Sequence, residues 1–154
     1  MGQTTFSGPV RSERGFTAVG SSAVVAITAE TTLTYADHVG RIIEVNDADG
    51  AVTLPTITSD TIGATYKFFI GTDATDLDVK TDGTDKFVGS LAVAGTTTKA
   101  FAPAASNDVI SMNGTTTGGD RGSVFEVTAI ATAEYMVSGT LVGSGTVVTP
   151  FADS

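Results

Sequence analysis

The chain contains one histidine, His38, and Asp37 directly precedes it. A histidine and a carboxylate can act together in acid–base catalysis when their side chains meet. Adjacent residues in a strand or turn point in different directions, so this spacing does not make a catalytic pair. The chain also lacks the Gly-x-Ser-x-Gly sequence that marks an exposed nucleophilic serine. We therefore interpret His38 as a surface or interface histidine and expect no enzymatic activity.

A short acidic run at Asn46–Gly50 resembles the start of a calcium-binding EF-hand loop. Such a loop needs acids at alternate positions, glycine at the sixth and glutamate at the twelfth. With Gly50 at the sixth position, the first and twelfth positions fall on Val45 and Thr56, which do not meet this requirement. A hairpin turn explains the run better, because Asn, Asp and Gly tolerate left-handed backbone conformations.

A second acidic run lies further along the chain. Carboxylates in a loop can hold calcium weakly, but an acidic face in contact with solvent is the favoured interpretation. We expect no metal site and no cofactor. The run consists of Asp73, Asp76, Asp78, Asp82 and Asp85.

The overall charge excludes other classes of partner. The net charge is −9 and the pI about 4.2, whereas binding to nucleic acid needs clustered lysine and arginine. Cysteine is absent, which excludes disulfides and thiol chemistry. The longest apolar runs, such as Ala23–Ile27 and Phe68–Ile70, are too short to span a membrane. We expect neither a direct nucleic-acid partner nor a membrane partner.

The composition favours strands over helices. Charged residues make up only 16 % of the chain, and threonine together with 18 glycines takes their place. Threonine is a β-branched strand former, and glycine serves turns. Short apolar segments separated by turn residues are typical of sandwiches and barrels. We predict an all-β fold, with a single β-sandwich or barrel-like domain over residues 21–154 and an extended N-terminal arm over residues 1–20.

The strand pattern is clearest in two segments. Thr65–Gly71 directs Tyr66, Phe68 and Ile70 to one face, which we predict to be the core face. Ser123–Ala131 alternates in the same way.

Two further predictions concern less regular segments. Gly145–Thr149 is predicted to form a strand near the end of the chain, before Pro150. Ala29–His38 interrupts the strand pattern and has room for one helical turn.

The predicted arm carries apolar and basic residues in an otherwise acidic chain. Phe6, Val10 and Phe16 are spaced along it, and Arg11 and Arg14 lie between them. A purely solvated tail seldom carries spaced aromatics. Arginines can pair with carboxylates on a partner, and an extended segment can pair with the edge of a partner's sheet. We predict that these five residues dock the protein on a partner.

Several segments together resemble one family. Residues 40–55 read GRIIEVNDADGAVTLP, in which an apolar strand and an Asn/Asp/Gly turn lead into Thr-Leu-Pro. A glycine and an aromatic strand follow at Gly63–Gly71, then an Asp-Gly-x-Asp-Lys stretch at Asp82–Lys86. Residues 145–151 read GTVVTPF, and the opening Thr4–Val10 has the same character. The chain resembles the capsid decoration, or cement, proteins of tailed bacteriophages over residues 1–20, 38–90 and 134–151.

This resemblance implies a structural role without catalysis. Such proteins typically sit as homotrimers on the outer surface of the capsid, with the N-terminal arm lying on the major capsid protein. They clamp neighbouring capsomers against the pressure of the packaged DNA. The implied locations are the virion and, during assembly, the host cytoplasm. One segment departs from the family pattern, since similar proteins often carry tryptophan where this chain has Tyr135-Met136-Val137.

A phage tail-fibre or knob protein that binds a host receptor is the alternative, because these proteins use similar threonine- and glycine-rich strands. A receptor-binding surface would be expected to expose aromatic residues in its loops. The predicted loops consist of Thr, Gly, Asp and Ser instead. The copy number in the virion separates the two, since a decoration protein approaches the abundance of the major capsid protein.

Overall fold

The computed structural model describes residues 20–154 and confirms the all-β prediction. Two mixed sheets share one core, to which both contribute buried side chains. A 3-10 turn at Ser21–Ala23 precedes the first strand, and one helical turn, α1, covers Tyr35–His38. The strands are β1 Val24–Ile27, β2 Thr31–Thr32, β3 Ile42–Val45, β4 Asp49–Thr53, β5 Thr65–Ile70, β6 Asp76–Lys80, β7 Lys86–Ala94, β8 Thr98–Phe101, β9 Val109–Met112, β10 Asp120–Ala131, β11 Glu134–Val142 and β12 Phe151–Ala152.

The first six strands alternate between the two sheets. The larger sheet has the order β1-β3-β5-β10-β11-β7-β8, and the smaller has the order β12-β9-β6-β4-β2. Strands β1, β3 and β5 are therefore parallel neighbours, as are β2, β4 and β6. Parallel neighbours cannot be joined by a tight hairpin. Each connection instead passes through a strand of the opposite sheet.

This alternation corrects the interpretation of Asn46–Gly50 as a hairpin turn. The segment carries the chain from β3 in the larger sheet to β4 in the smaller one, and Asp49 and Gly50 already belong to β4. Gly50 has a φ of +143°, a conformation that favours glycine. The turn residues were therefore recognised correctly, but the direction in which the chain leaves the turn was not.

The prediction of a strand at Gly145–Thr149 is wrong. The backbone of this segment forms hydrogen bonds with loops: Gly145 O accepts from the Thr96 N–H at 3.0 Å, and the Val148 N–H donates to Thr116 O at 2.9 Å. The last strand is the two-residue β12, paired with β9. The helical turn expected within Ala29–His38 is confirmed, because Thr34 Oγ1 accepts the Asp37 N–H and caps α1.

The predicted core faces are confirmed. Tyr66, Phe68 and Ile70 are buried, and the Phe68 ring stacks on Phe125 of β10 with centroids 4.8 Å apart. In β10, buried apolar side chains fill every second position from Phe125 to Ala129, as the alternation predicts, and the buried Ser123 precedes them. These inward residues are Phe125, Val127 and Ala129.

Candidate functional site

The predicted docking residues lie outside the described residues. Phe6, Val10, Arg11, Arg14 and Phe16 all fall within residues 1–19. The structure describes the chain from Gly20, whose carbonyl accepts the Ala23 N–H at 3.0 Å in the turn before β1. The described chain therefore starts at an edge of the larger sheet, where β1 is the outermost strand.

His38 was predicted to be a surface or interface histidine, and in the folded chain it is buried rather than at the surface. Its side chain is 8 % exposed, and its Nδ1 atom accepts the Thr34 N–H at 3.0 Å. The Asp37 carboxylate accepts from Thr34 Oγ1 at 2.9 Å. Both side chains thus bond to Thr34 and stabilise the helical turn, a structural task that explains the Asp-His pair.

The second acidic run does not form one solvated face. Asp73 Oδ1 accepts the Arg121 N–H at 2.7 Å, while Asp85 is only 3 % exposed and its Oδ2 accepts the Ile57 N–H at 2.9 Å. Burial raises the pKa of Asp85, and this hydrogen bond opposes the rise. These carboxylates hold loops in place. Sequence spacing could not reveal this, because the loops that they bind are remote in the chain.

Within residues 20–154, no three His, Cys, Asp or Glu side chains are grouped closely enough to hold a metal ion. We therefore expect a chelator to leave the melting temperature of the full chain unchanged. The measurement is a pair of thermal melts, one with excess calcium and one with excess EDTA. A calcium-dependent rise of several degrees, as linkage requires for a ligand that binds only the folded state, would contradict this expectation.

The buried Asp108 carboxylate joins Ser154 to the sheets and forms an ion pair with the partly exposed Lys86. Lys86 Nζ lies 2.7 Å from Asp108 Oδ2, and the Asp108 side chain is 3 % exposed. Asp108 also accepts from the Ser154 N–H at 2.8 Å and from Ser154 Oγ at 3.1 Å. Burial by itself would raise the pKa of Asp108, but the bonds from Lys86 and Ser154 outweigh it and lower the pKa.

This depressed pKa predicts a pH-dependent effect of Asp108→Asn. A carboxylate whose pKa is lower in the folded state stabilises above its unfolded pKa of about 3.9, and this stability is lost as the pH falls through the folded pKa. We expect the variant to be less stable than the wild type by about 1–3 kcal/mol at pH 7. At the lowest pH, its free energy of unfolding should approach that of the wild type. Thermal melts from pH 7 downward test this, with the exposed Asp76→Asn as the control. A deficit that does not shrink in acid would contradict it.

Tyr135 links two of the segments on which the family resemblance depends. It is buried, and its hydroxyl donates to the Pro55 carbonyl at 2.6 Å. Burial also raises its pKa. Its ring meets Tyr66 edge-on, with the centroids 6.5 Å apart. Tyr135 therefore serves the core and holds the end of the 40–55 segment.

The outer face of the larger sheet contains a groove that sequence reasoning missed. It encloses about 660 Å³ and crosses β1, β3, β5, β10 and β11. In register across the sheet, Ile42 lies opposite Lys67, and Val124 lies opposite Phe69. Gly139 adjoins the groove and has a φ of +148°; a side chain there would strike the backbone of Phe125 in β10. The groove is lined by Val24, Ile42, Glu44, Lys67, Phe68, Phe69, Val124, Phe125, Glu126, Ser138 and Gly139.

One sequence signal pointed to this groove. A strand with one face in solvent normally alternates apolar and polar residues. Strand β3 begins with the apolar pair Ile42–Ile43, and strand β5 ends with the apolar pair Phe69–Ile70. Apolar side chains therefore point to both faces of the sheet. Adjacent apolar residues in a strand indicate a sheet face that is partly covered.

Comparisons of the chain with protein-family models, with curated proteins and with solved structures found no match. No helix within residues 20–154 has the length and apolar character needed to cross a membrane.

Proposed function

We propose that the chain is a structural virion protein, a capsid decoration protein that binds the major capsid protein lattice and stabilises the phage head. The arm residues Phe6, Val10, Arg11, Arg14 and Phe16 contact the major capsid protein. The β-domain lies on the outer capsid surface as a homotrimer. Neither a cofactor nor a catalytic residue takes part.

The proposal rests on the resemblance of residues 40–55 to decoration proteins, which is read from the sequence alone, together with the place of this segment in the fold. The segment supplies β3, the crossing between the sheets and β4. It is therefore part of the framework of the domain. The buried polar side chains are consistent with a structural role. His38, Asp85 and Asp108 form hydrogen bonds to backbone and side-chain groups, and these bonds hold the fold together.

The trimer is supported by the borders of the larger sheet. Its outermost strands are β1 and β8, and Thr98, Lys99 and Ala100 in β8 are exposed. The edge of a sheet carries unpaired backbone N–H and C=O groups, and in oligomers a neighbouring subunit often covers them. A reconstruction of decorated capsids tests this point, and isolated single copies on the shell would contradict it.

Binding to undecorated heads tests the function itself. Purified protein is mixed with phage heads that lack it, and the heads are sedimented. We expect binding to saturate at a fixed ratio to the major capsid protein. Absence of the protein from the pelleted heads would contradict the proposal.

The groove favours a second candidate, a tail-fibre or knob protein that binds a host receptor. Ligand sites are usually concave and largely apolar with a few polar groups, and the groove combines Phe69 and Val124 with Lys67 and Glu126. Immunogold labelling of virions separates the two candidates, because it shows whether the protein lies on the head or on the tail.

A further inference from the structure

The groove on the larger sheet leaves apolar side chains exposed. Val24, Ile42 and Val124 are each 40–49 % exposed, and Phe69 is half-buried beside them. These residues lie on four adjacent strands, β1, β3, β5 and β10, so they form one continuous patch. A patch of this kind usually marks a site of contact with another segment or molecule.

The charges of the groove define what could cover it. Lys67 and Glu126 lie opposite each other in the middle of the face, with Nζ and Oε1 3.4 Å apart. Glu44 also lines the groove, so the acids outnumber the single base. A complementary occupant is therefore apolar and carries basic side chains.

Residues 1–19 have this composition. Phe6, Val10 and Phe16 are apolar, and Arg11 and Arg14 outnumber the single acid Glu13. The rest of the chain is strongly acidic, so this segment is a distinctly basic part of the molecule. Its apolar side chains match the patch, and its arginines match Glu44 and Glu126.

The point at which the described chain starts brings this segment to the groove. Gly20 is one turn away from Val24, which is both the first residue of β1 and part of the groove wall. The four strand spacings from β1 to β11 measure about 19 Å at about 4.8 Å each. An extended chain spans about 3.3 Å per residue, so these residues reach about 60 Å. Phe16, four residues before Gly20, reaches about 13 Å and thus β5.

We propose that residues 1–19 bind the groove on the outer face of the larger sheet of their own chain. The direct covalent connection makes this contact intramolecular, so it forms at a high effective concentration. This contact is related to the proposed function in one respect: the same side chains of residues 1–19 would bind either the groove or the capsid. The two contacts exclude each other, so attachment to a capsid requires the segment to change its partner.

A photo-crosslinking experiment on the free full-length protein tests the proposal without any capsid. Phe16 is replaced by the photoreactive residue p-benzoylphenylalanine, the dilute protein is irradiated, and crosslinked peptides are mapped by mass spectrometry. We expect crosslinks within one chain to β3, β5 or β10, at residues such as Ile42, Phe69 and Val124. Crosslinks to other surfaces, or a yield no higher than in denaturant, would overturn the proposal. Crosslinked dimers would assign the groove to a second copy and overturn it as well.

A matched pair of variants makes the result specific. In the same photoreactive chain, Val124→Lys removes an apolar contact and adds a positive charge that repels the arginines, and we expect it to reduce the crosslink yield at least about fivefold. Val148→Lys is the control, because Val148 is 48 % exposed and Val124 is 49 % exposed, while Val148 lies outside the groove. Equal yields in the two variants would overturn the proposal. Because this test needs no head, a failure of capsid binding leaves its result unaffected.

Discussion

Deletion of residues 1–19 is expected to leave the β-domain folded and to weaken its binding to capsids at least about tenfold, which corresponds to about 1.4 kcal/mol. The described core includes Tyr66, Phe68 and Leu141, and we expect this core to hold the truncated domain together. If the proposed function is correct, the truncated protein lacks the apolar residues Phe6 and Phe16 and both arginines that contact the capsid. The truncated protein keeps Gly20, because the Gly20 carbonyl accepts the Ala23 N–H and so forms part of the turn before β1.

Two measurements on the same samples check this prediction. Co-sedimentation with undecorated heads gives the affinity, and a melting curve shows whether the domain is folded. The full-length double variant Arg11→Ala, Arg14→Ala isolates the ionic part, and Ser12→Ala between them is the matched control. Full-strength binding by the truncated domain would refute the docking role. Loss of folding would mean that the deleted segment belongs to the domain.

Phe68→Ala is expected to destabilise the protein by about 3–5 kcal/mol, the usual cost of truncating a buried phenylalanine. Phe68 is 2 % exposed and stacks on Phe125, so the substitution leaves a cavity between β5 and β10. Native domains are stable by only about 5–15 kcal/mol. For a domain of this size, each kcal/mol lowers the melting temperature by about 2–4 °C.

Phe69→Ala is the matched control for this prediction. It removes the same side chain one position along β5, where the ring points to the outer face and is half-buried. Urea unfolding of both variants gives the two free energies, and we expect the loss in Phe68→Ala to be clearly larger. Equal losses, or a Phe68→Ala variant that unfolds like the wild type, would mean that the assigned core face of β5 is wrong.

Local periodicity was sufficient to predict the core faces of β5 and β10, although it also predicted a strand at Gly145–Thr149 that does not form. In β5 and β10 every second residue is apolar, and a strand with that pattern buries one face whichever strand lies beside it. The topology could not be predicted in this way. Asn46–Gly50 is a good turn sequence, but the same residues serve a hairpin and a crossing to the opposite sheet. Only the pairing of β4 with β6 rather than β3 distinguishes the two.

The polar clusters were beyond sequence reasoning for a related reason. Asp85 is buried because it binds the Ile57 N–H, and Asp108 is buried because it binds Lys86 and Ser154. These partners are far away in the sequence, so a count of acids along the chain suggests a solvated face. The apolar pairs in β3 and β5 indicated a partly covered face, but the groove itself could not be predicted, because its residues come from five strands that become neighbours only in the folded sheet.

We propose that the protein decorates the phage head, and a cryo-electron microscopy reconstruction of the virion tests this role most directly. The proposal predicts density for the two-sheet domain at repeated positions over the outer capsid surface, in trimers, with the N-terminal segment reaching the major capsid protein. Quantitative mass spectrometry of the same particles should then give a copy number that approaches that of the major capsid protein. Density confined to the tail, with a copy number far below that of the major capsid protein, would contradict the proposal.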